Sequence, residues 1–149
     1  MKIDDFHGKY FFLSNFYPSA IVDDDGINYP TVEHYFQANK TTNLQDKLKI
    51  AQAQTPGEAK KLGRSVYLRK DWENIKDSVM LNGLRLKFAI PQLRERLLET
   101  GNAELIEGTT WHDNYWGNCC CDKCRNIRGR NQLGILLQQL REEIKNKNA

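Results

Sequence analysis

A helical pattern of apolar and polar positions covers residues 29–40. Val32, Tyr35 and Phe36 recur at the spacing of one helix face, so their side chains are expected to point into a core. Pro30 suits the first turn of such a helix, because its fixed φ is already helical and its missing N–H would have no partner there. The pattern therefore predicts an amphipathic helix early in the chain.

The polar residues of this helix form a second, neighbouring face. Glu33, Gln37 and Lys40 are spaced i, i+4 and i+7, which places them on one side of a helix. A carboxylate, an amide and an amine would then line up beside an aromatic surface, as in a site. The competing interpretation is a solvated charged face, which is the commoner arrangement for such spacings. His34 lies between the two faces and is interpreted as a structural histidine.

Local signals predict further elements on both sides of this helix. Residues 20–22 and 27–29 indicate a hairpin turned at Asp25-Gly26. The aromatic segment 10–18 predicts a short strand and turn, and residues 103–107 suit either a strand or a helix. Helices are also predicted over residues 43–53 and 55–63, from Asp71, over residues 91–101 and from Asn131. The predicted fold is mainly α (α+β), a single multihelical domain over residues 1–149 with a small N-terminal β-hairpin element.

Length and composition agree with one globular domain. The 149 residues are 40% hydrophobic and 28% charged, which is enough apolar material for a core. Neither a signal-peptide pattern nor a membrane-spanning apolar run is visible, so we expect a cytoplasmic protein without a membrane partner. The net charge of +3, from 22 basic and 19 acidic residues, permits a phosphate-bearing ligand but does not require nucleic acid.

All four cysteines lie in one short stretch, at Cys119, Cys120, Cys121 and Cys124. Clustering of this kind suggests a local metal clip, a redox pair or a thiol-rich loop rather than a disulfide framework. The C-x-x-C pair could be completed to four zinc ligands by Cys119 and by His112 or Cys120. A lone C-x-x-C is a weak signal, and the tight C-x-C-x-x-C run strains tetrahedral geometry. The thiol-rich loop is therefore preferred, and neither a metal nor a cofactor is predicted.

Three segments carry candidate ligand-binding residues. Ser14-Asn15-Phe16 places a polar pair between aromatics, which can grip and stack a planar ligand. Arg64 and Arg69 flank a junction between predicted helices next to Trp72, and such a group suits a phosphate and a stacked base.

The third segment is a loop rich in Trp, Tyr, Asp and Asn that contains Asp113, Trp116 and Gly117. Loops of this composition more often serve a site than a core. Arg130 and Asn131 follow at the start of the last helix, where backbone N–H groups and the helix dipole favour an anion.

Four separated motifs, in order, resemble those of the NADAR family, which includes the YbiA-like N-glycosidases. They are the F-L-S-N-F segment at residues 12–16, E-H-Y-F-Q-A-N-K at 33–40, the G-R … L-R-x-D-W pattern at 63–72, and D-x-x-W-G … G-x-N-x-L-G at 113–134. The resemblance departs from the commoner pattern between Gly117 and Gly129, where many relatives have a glycine-rich linker and this chain has its cysteines.

The resemblance implies an enzyme that hydrolyses an N-glycosidic bond between ribose and a nitrogen base. Two nucleotide-like substrates are associated with the family: phosphoribosylamino-pyrimidine intermediates of riboflavin biosynthesis, and ADP-ribose attached to guanine in nucleic acid. A non-catalytic ADP-ribose or NAD-binding module is the alternative, although it would not need both Glu33 and Lys40. A zinc-stabilised interaction domain would leave the four motifs unexplained.

The resemblance also implies roles for individual residues. Lys40 is expected to be the nucleophile, trapping C1 of the ribose as a Schiff base. Glu33 is expected to carry a proton to the departing nitrogen, and Asp113 to act as a second acid or base. The expected substrate-binding residues are Ser14, Asn15, Phe16, Arg64, Arg69, Trp72, Trp116, Gly117, Arg130 and Asn131.

Overall fold

The computed structural model describes residues 1–147. Within that range helices dominate and every strand is two residues long. In chain order the elements are β1 (Lys2–Ile3), a 3₁₀ helix (Gly8–Leu13), β2 (Ile21–Val22), β3 (Asn28–Tyr29), α1 (Val32–Ala38), α2 (Leu44–Ala51), α3 (Pro56–Gly63), α4 (Trp72–Phe88), α5 (Pro91–Glu99), β4 (Glu104–Leu105), β5 (Gly108–Thr109), β6 (Asn118–Cys119) and α6 (Gln132–Lys147). The predicted mainly helical α+β class is confirmed.

By their internal contacts the residues fall into two compact units. The middle unit is Asn15–Ile90, and the terminal unit combines Met1–Ser14 with the chain from Pro91 onwards. A single domain over residues 1–149 stays a prediction. No helix within residues 1–147 is both long enough and apolar enough to cross a membrane.

The middle unit begins with the predicted hairpin. β2 and β3 pair in antiparallel register, with Ile21 opposite Tyr29. The turn is held by the Asp23 carboxylate, which accepts hydrogen bonds from the backbone N–H groups of Asp25 and Ile27 at 3.0 and 2.9 Å. These aspartates therefore stabilise a turn, and β3 leads directly into α1.

Helix α1 is the buried centre of the middle unit. Thr31 caps it by accepting a hydrogen bond from the His34 N–H, so Pro30 precedes the helix rather than forming its first turn. All seven residues of α1 are buried, including Glu33 and Gln37. The solvated-face interpretation is therefore wrong, because α2, α3 and α4 all pack on this short helix.

The end of α1 also differs from the prediction. The helix ends at Ala38, so Lys40 lies in the following turn rather than on a continuous helical face. The backbone carbonyl of Lys40 accepts a hydrogen bond from the Arg69 N–H at 2.8 Å, which ties this turn to the segment before α4.

Helices α2 to α4 begin largely where their sequence signals predict. Asn43 and Thr55 cap α2 and α3 through their side chains. Asp71 precedes α4 but makes no capping hydrogen bond, because its carboxylate pairs with Arg69 instead. The buried stripe of α4 consists of Trp72, Val79, Met80, Gly83, Leu84, Lys87 and Phe88.

The terminal unit contains the remaining elements. The aromatic segment predicted as a strand forms the 3₁₀ helix, with Phe12 and Leu13 buried. β1 and β4 pair in parallel, with Ile3 opposite Leu105, so residues 104–105 form a strand. Helix α6, predicted from Asn131, buries Leu133, Leu136, Leu137 and Leu140. Arg141 joins that buried face by donating to the Ala103 carbonyl at 2.9 Å.

Candidate functional site

The residues predicted to form a site are divided between the two units. The middle unit holds Asn15, Phe16, Glu33, Lys40, Arg64, Arg69 and Trp72, and the terminal unit holds Ser14, Asp113, Trp116, Gly117, Arg130 and Asn131. Each group is described within its own unit.

Lys40 is the chemically distinctive residue of the middle unit. Its side chain is partly buried, and its ammonium lies 5.8 Å from the centre of the Phe36 ring. Burial lowers the pKa of Lys40 below its usual value, Glu33 acts in the opposite direction, and the cations Arg64 and Lys60 lower it further. A larger fraction of this amine is therefore neutral than for an exposed lysine, as a nucleophilic amine requires.

Glu33 is held in place from two sides. Its backbone N–H donates to the Asn15 carbonyl at 3.1 Å, and its carboxylate accepts from Nε2 of Gln37 at 3.1 Å. Glu33 is only 9% exposed and Gln37 only 4%. A carboxylate fixed in this way, whose charge acts on the partly buried Lys40 amine, can exchange protons with a group bound beside both.

Gly63 allows α3 to approach this pair. A Cβ at Gly63 would overlap Oε1 of Gln37 and lie 2.9 Å from its Cδ, so any side chain there would displace the amide. The two residues of the G-R motif, Gly63 and Arg64, thus have different structural roles. The glycine lets α3 end against Gln37, and Arg64 then follows as the residue that ends the helix.

His34 takes no part in this chemistry. Its Nδ1 lies 2.8 Å from the Thr31 hydroxyl, and its Nε2 lies 3.0 Å from the Ala53 carbonyl. Burial lowers its pKa, which keeps the ring neutral. The geometry supports the structural interpretation.

Asn15 and Phe16 differ in exposure. Asn15 is 9% exposed, and its Nδ2 contacts the Met80 sulfur at 3.4 Å. Within residues 1–147 its buried Oδ1 accepts no hydrogen bond, so this oxygen can accept one from a ligand. Phe16 is 37% exposed and can offer a ring face.

Arg69 and Trp72 both make contacts within the middle unit. Arg69 forms a two-bond ion pair with Asp71, through Nε at 2.6 Å and Nη2 at 3.2 Å, and these hydrogen bonds hold the pKa of Asp71 below its usual range. Trp72 is 5% exposed, with its ring centre 5.0 Å from that of Phe36. The Trp72 ring is thus packed in the core, and stacking of a base on it stays a prediction.

An open groove of about 630 Å³ lies beside this region of the middle unit. Its walls are formed by Thr41, Thr42, Asn43, Tyr67, Leu68, Arg69, Lys70 and Asp71. It includes Arg69, but neither Glu33 nor Lys40 lines it. The groove is thus a neighbour of the candidate chemistry and does not define it.

In the terminal unit, Asp113 organises the predicted loop. Its Oδ1 accepts hydrogen bonds from the backbone N–H groups of Tyr115 at 3.1 Å and Trp116 at 2.9 Å. The Trp116 ring is half-buried and meets Tyr115 edge-on, with ring centres 4.8 Å apart. Asp113 is therefore a rigidly held carboxylate.

The start of α6 is not the open anion site that the sequence suggested. The N–H groups of Arg130, Gln132 and Leu133 donate to loop carbonyls at 2.8, 2.9 and 3.0 Å, so they cannot cradle an anion. The Arg130 guanidinium is exposed and lies 4.6 Å from the centre of the Tyr115 ring. This exposed guanidinium can still meet a phosphate at the helix end.

Asn131 is used by the protein itself. Its Oδ1 accepts from the Glu107 N–H at 2.9 Å, and its Nδ2 donates to the Leu105 carbonyl at 2.8 Å. Both groups of the amide are thus occupied. A Cβ at Gly134 would overlap the Leu105 oxygen and the Asn131 amide, and one at Gly117 would overlap the Glu107 oxygen. Asn131 and Gly117 therefore hold the loop in place, and their contact with a substrate stays a prediction.

The cysteine segment brings four possible metal ligands together. Cys119, Cys121, Cys124 and His112 have ligand atoms that all lie within 4.8 Å of one another. Cys119 and Cys124 are buried, whereas Cys120 is exposed and outside the group. Burial opposes the thiolate at Cys119, but hydrogen bonds from Cys121 and the His112 N–H lower its pKa to about 6. The sequence spacing indicated the C-x-x-C pair but left both His112 and Cys120 as the fourth ligand. The fold of the loop places His112, and not Cys120, in the group.

Lys60 is a candidate site residue that the sequence analysis did not name. It lies one helical turn before Arg64, and the packing of α3 on α1 brings its charge to bear on Lys40. In the sequence, Lys60 is marked only by its position four residues before Arg64. Many exposed lysines have such a spacing, so it did not indicate a site.

Comparison with known proteins agrees with these motifs. The NADAR domain family model matches residues 4–145. The chain belongs to the NADAR family. It is 42% identical over 123 residues to N-glycosidase YbiA of Escherichia coli (strain K12), covering 80% of this chain and 73% of that protein. Riboflavin biosynthesis protein VVA0006 of Vibrio vulnificus is 36% identical over 144 residues, which cover 95% of this chain and 36% of that protein.

The fold is similar as well. The NMR structure of the E. coli protein YbiA matches with a TM-score of 0.83 and 38% identity, covering 99% of this chain and 87% of that one. Both the family and the fold class inferred from the four motifs are therefore confirmed.

Proposed function

We propose that this NADAR protein is an N-glycosidase that hydrolyses a ribosyl C1–N bond with Lys40 as the nucleophile. The observation that supports this most directly is the partly buried Lys40 amine, whose pKa is lowered by burial, Arg64 and Lys60. The fixed Glu33 carboxylate nearby supplies the second group that the reaction needs. The family relationship to proteins named N-glycosidase supports the same reaction class.

The reaction proceeds in two steps on this arrangement. The neutral Lys40 amine attacks C1, the bond from C1 to the base breaks, and protonated Glu33 gives its proton to the departing nitrogen. The Lys40 nitrogen then passes a proton to the ring oxygen as the bond from C1 to that oxygen breaks, which opens the ribose and gives a protonated Schiff base. Water adds to C1 and gives a proton to the Glu33 carboxylate, and the bond from C1 to the lysine then breaks, which returns the free amine and the protonated Glu33. The net change is addition of one water, giving free base and ribose phosphate.

The substrate class follows from charge and from the relatives. In the middle unit, Arg64 is an exposed cation suited to phosphate, and Phe16 offers an exposed ring for a planar base. Arg130 is an exposed cation of the terminal unit. The name of VVA0006 refers to riboflavin biosynthesis, which favours a phosphoribosylamino-pyrimidine over ADP-ribosyl guanine. Because such phosphorylated compounds do not cross membranes, we place the protein in the cytoplasm.

The test is release of the ribosyl product, measured by mass spectrometry: ribose phosphate from the phosphoribosylamino-pyrimidine and ADP-ribose from ADP-ribosyl guanine. Wild type is expected to cleave the phosphoribosylamino-pyrimidine, and Lys40→Met to lose at least about 10²-fold in kcat, the scale of a lost covalent step. Lys61→Met is the matched control, because Lys61 is exposed on α3. Cleavage of ADP-ribosyl guanine alone would transfer the proposal to that substrate.

A non-catalytic binding module remains the second candidate, and the same experiment separates it. Tight binding of ADP-ribose with no cleavage of either substrate, by wild type and Lys40→Met alike, would establish it. Normal cleavage by Lys40→Met would remove the Schiff base and leave Glu33 or Asp113 to activate water.

A further inference from the structure

The four ligand atoms of the cysteine segment have the dimensions of a metal site. Tetrahedral zinc has bonds of about 2.3 Å to sulfur and about 2.0 Å to nitrogen, so ligand pairs lie about 3.5–3.8 Å apart. Nδ1 of His112 lies 3.3 Å from the Cys124 sulfur and 3.4 Å from the Cys121 sulfur. No pair among the four exceeds 4.8 Å, so small side-chain rotations would complete a tetrahedron.

The backbone is also arranged as such a site requires. The N–H of Cys124 donates to the Cys121 carbonyl at 3.0 Å, closing a tight turn that presents both sulfurs on one side. His112 has a φ of +67°, an uncommon conformation for a residue with a side chain. This conformation lets its N–H donate to the Cys119 sulfur at 3.3 Å while its ring meets the other two sulfurs.

The side-chain amide of Asn114 makes hydrogen bonds with two of the cysteines. Nδ2 of Asn114 lies 3.5 Å from the Cys124 sulfur, and Oδ1 of the same amide accepts from the Cys119 N–H at 2.9 Å. Hydrogen bonds of this kind orient metal-bound thiolates and spread their charge. Cys120 is exposed, and its sulfur lies 3.7 Å from the Asn118 carbonyl, so it belongs to no such network.

We propose that His112, Cys119, Cys121 and Cys124 bind one structural Zn²⁺. Four protein ligands leave no open position, so the ion has no direct part in chemistry. Its function is to join the loop that carries Asp113 to the segment leading into α6. The site stands on these contacts and does not depend on the proposed glycosidase activity.

The experiment measures metal content and ligand identity together. Untagged protein, purified under reducing conditions without chelator, is expected to contain about one zinc per chain by mass spectrometry of the elements. Cys124→Ser is expected to lose most of it, and Cys120→Ser, the matched control, to keep it. Replacing the zinc with Co²⁺ should give thiolate-to-metal charge-transfer bands and the strong visible bands of a tetrahedral site in wild type and Cys120→Ser.

Three results would overturn the proposal. Wild type could contain no zinc and give no cobalt spectrum after loading. The intact mass of wild type could be two hydrogens lower than that of the reduced chain, which would show a disulfide between two of the cysteines and no bound metal. Cys120→Ser could lose as much zinc as Cys124→Ser. If Cys124→Ser does not fold, the cobalt spectrum of wild type and the zinc content of Cys120→Ser still decide.

Discussion

Replacement of Asn131 separates its structural function from substrate binding. The amide makes two hydrogen bonds, with the Glu107 N–H and the Leu105 carbonyl, and the residue has a φ of +52°. Each hydrogen bond contributes about 1 kcal/mol net, so Asn131→Gly, which tolerates the backbone conformation, should lose about 2 kcal/mol of stability. Asn131→Ala should lose about 1 kcal/mol more, because a Cβ is disfavoured in left-handed backbone.

The assay is equilibrium unfolding in urea, read as a lower midpoint at an unchanged m value. Gln139→Ala is the control, because Gln139 is an exposed amide on α6, the helix that follows Asn131, and its removal should change stability by less than about 0.5 kcal/mol. With substrate, KM of the glycine variant should stay within about twofold of wild type. A stable Asn131→Gly protein with a strongly raised KM would refute the reasoning and return Asn131 to the binding site.

Two further predictions concern the middle unit. Lys60→Met removes a cation that lowers the pKa of Lys40, so the pKa of Lys40 should rise. Because the neutral amine is the reactive form, the acid limb of the kcat–pH profile should then move to higher pH. An unchanged profile would show that Lys60 does not lower the pKa of Lys40. Gly63→Ala should destabilise the protein by about 1–3 kcal/mol in thermal or urea unfolding, since its Cβ would displace Gln37. The double variant with Gln37→Ala and Gly63→Ala should lose less stability than the sum of the two single variants, because the alanine at position 63 then has room. Strictly additive losses of stability would show that the new Cβ does not clash with Gln37.

Much of the fold could be predicted because its signals are local. Asn43 and Thr55 each accept a hydrogen bond from an N–H three residues later, so the sequence alone contains the signal for α2 and α3. The hairpin is similar, since Asp23 and its partners lie within six residues.

The failures come from packing, which a local pattern does not contain. Glu33 and Gln37 have the spacing of a solvated face, and they are buried because three other helices surround α1. The contact of Trp72 with Phe36 likewise depends on how α4 packs.

The candidate site shows the same limit. Both the charge of Lys60 near Lys40 and the bond from Asn131 to Leu105, 26 residues apart, depend on tertiary structure. From the sequence, His112 was only one of two candidates for the fourth metal ligand, beside Cys120. Its left-handed backbone conformation sets the direction of its ring, and the sequence does not show that conformation.

The central claim is that the amine of Lys40 bonds to C1 of the ribose during turnover. The most direct measurement is reductive trapping: the protein and its substrate are mixed with cyanoborohydride, and the adduct is located by mass spectrometry of peptides. The account predicts a ribose-phosphate adduct on Lys40 in wild type and in Lys61→Met, and no adduct in Lys40→Met. Continued cleavage of substrate by wild type without any adduct, or an adduct on another lysine, would contradict it.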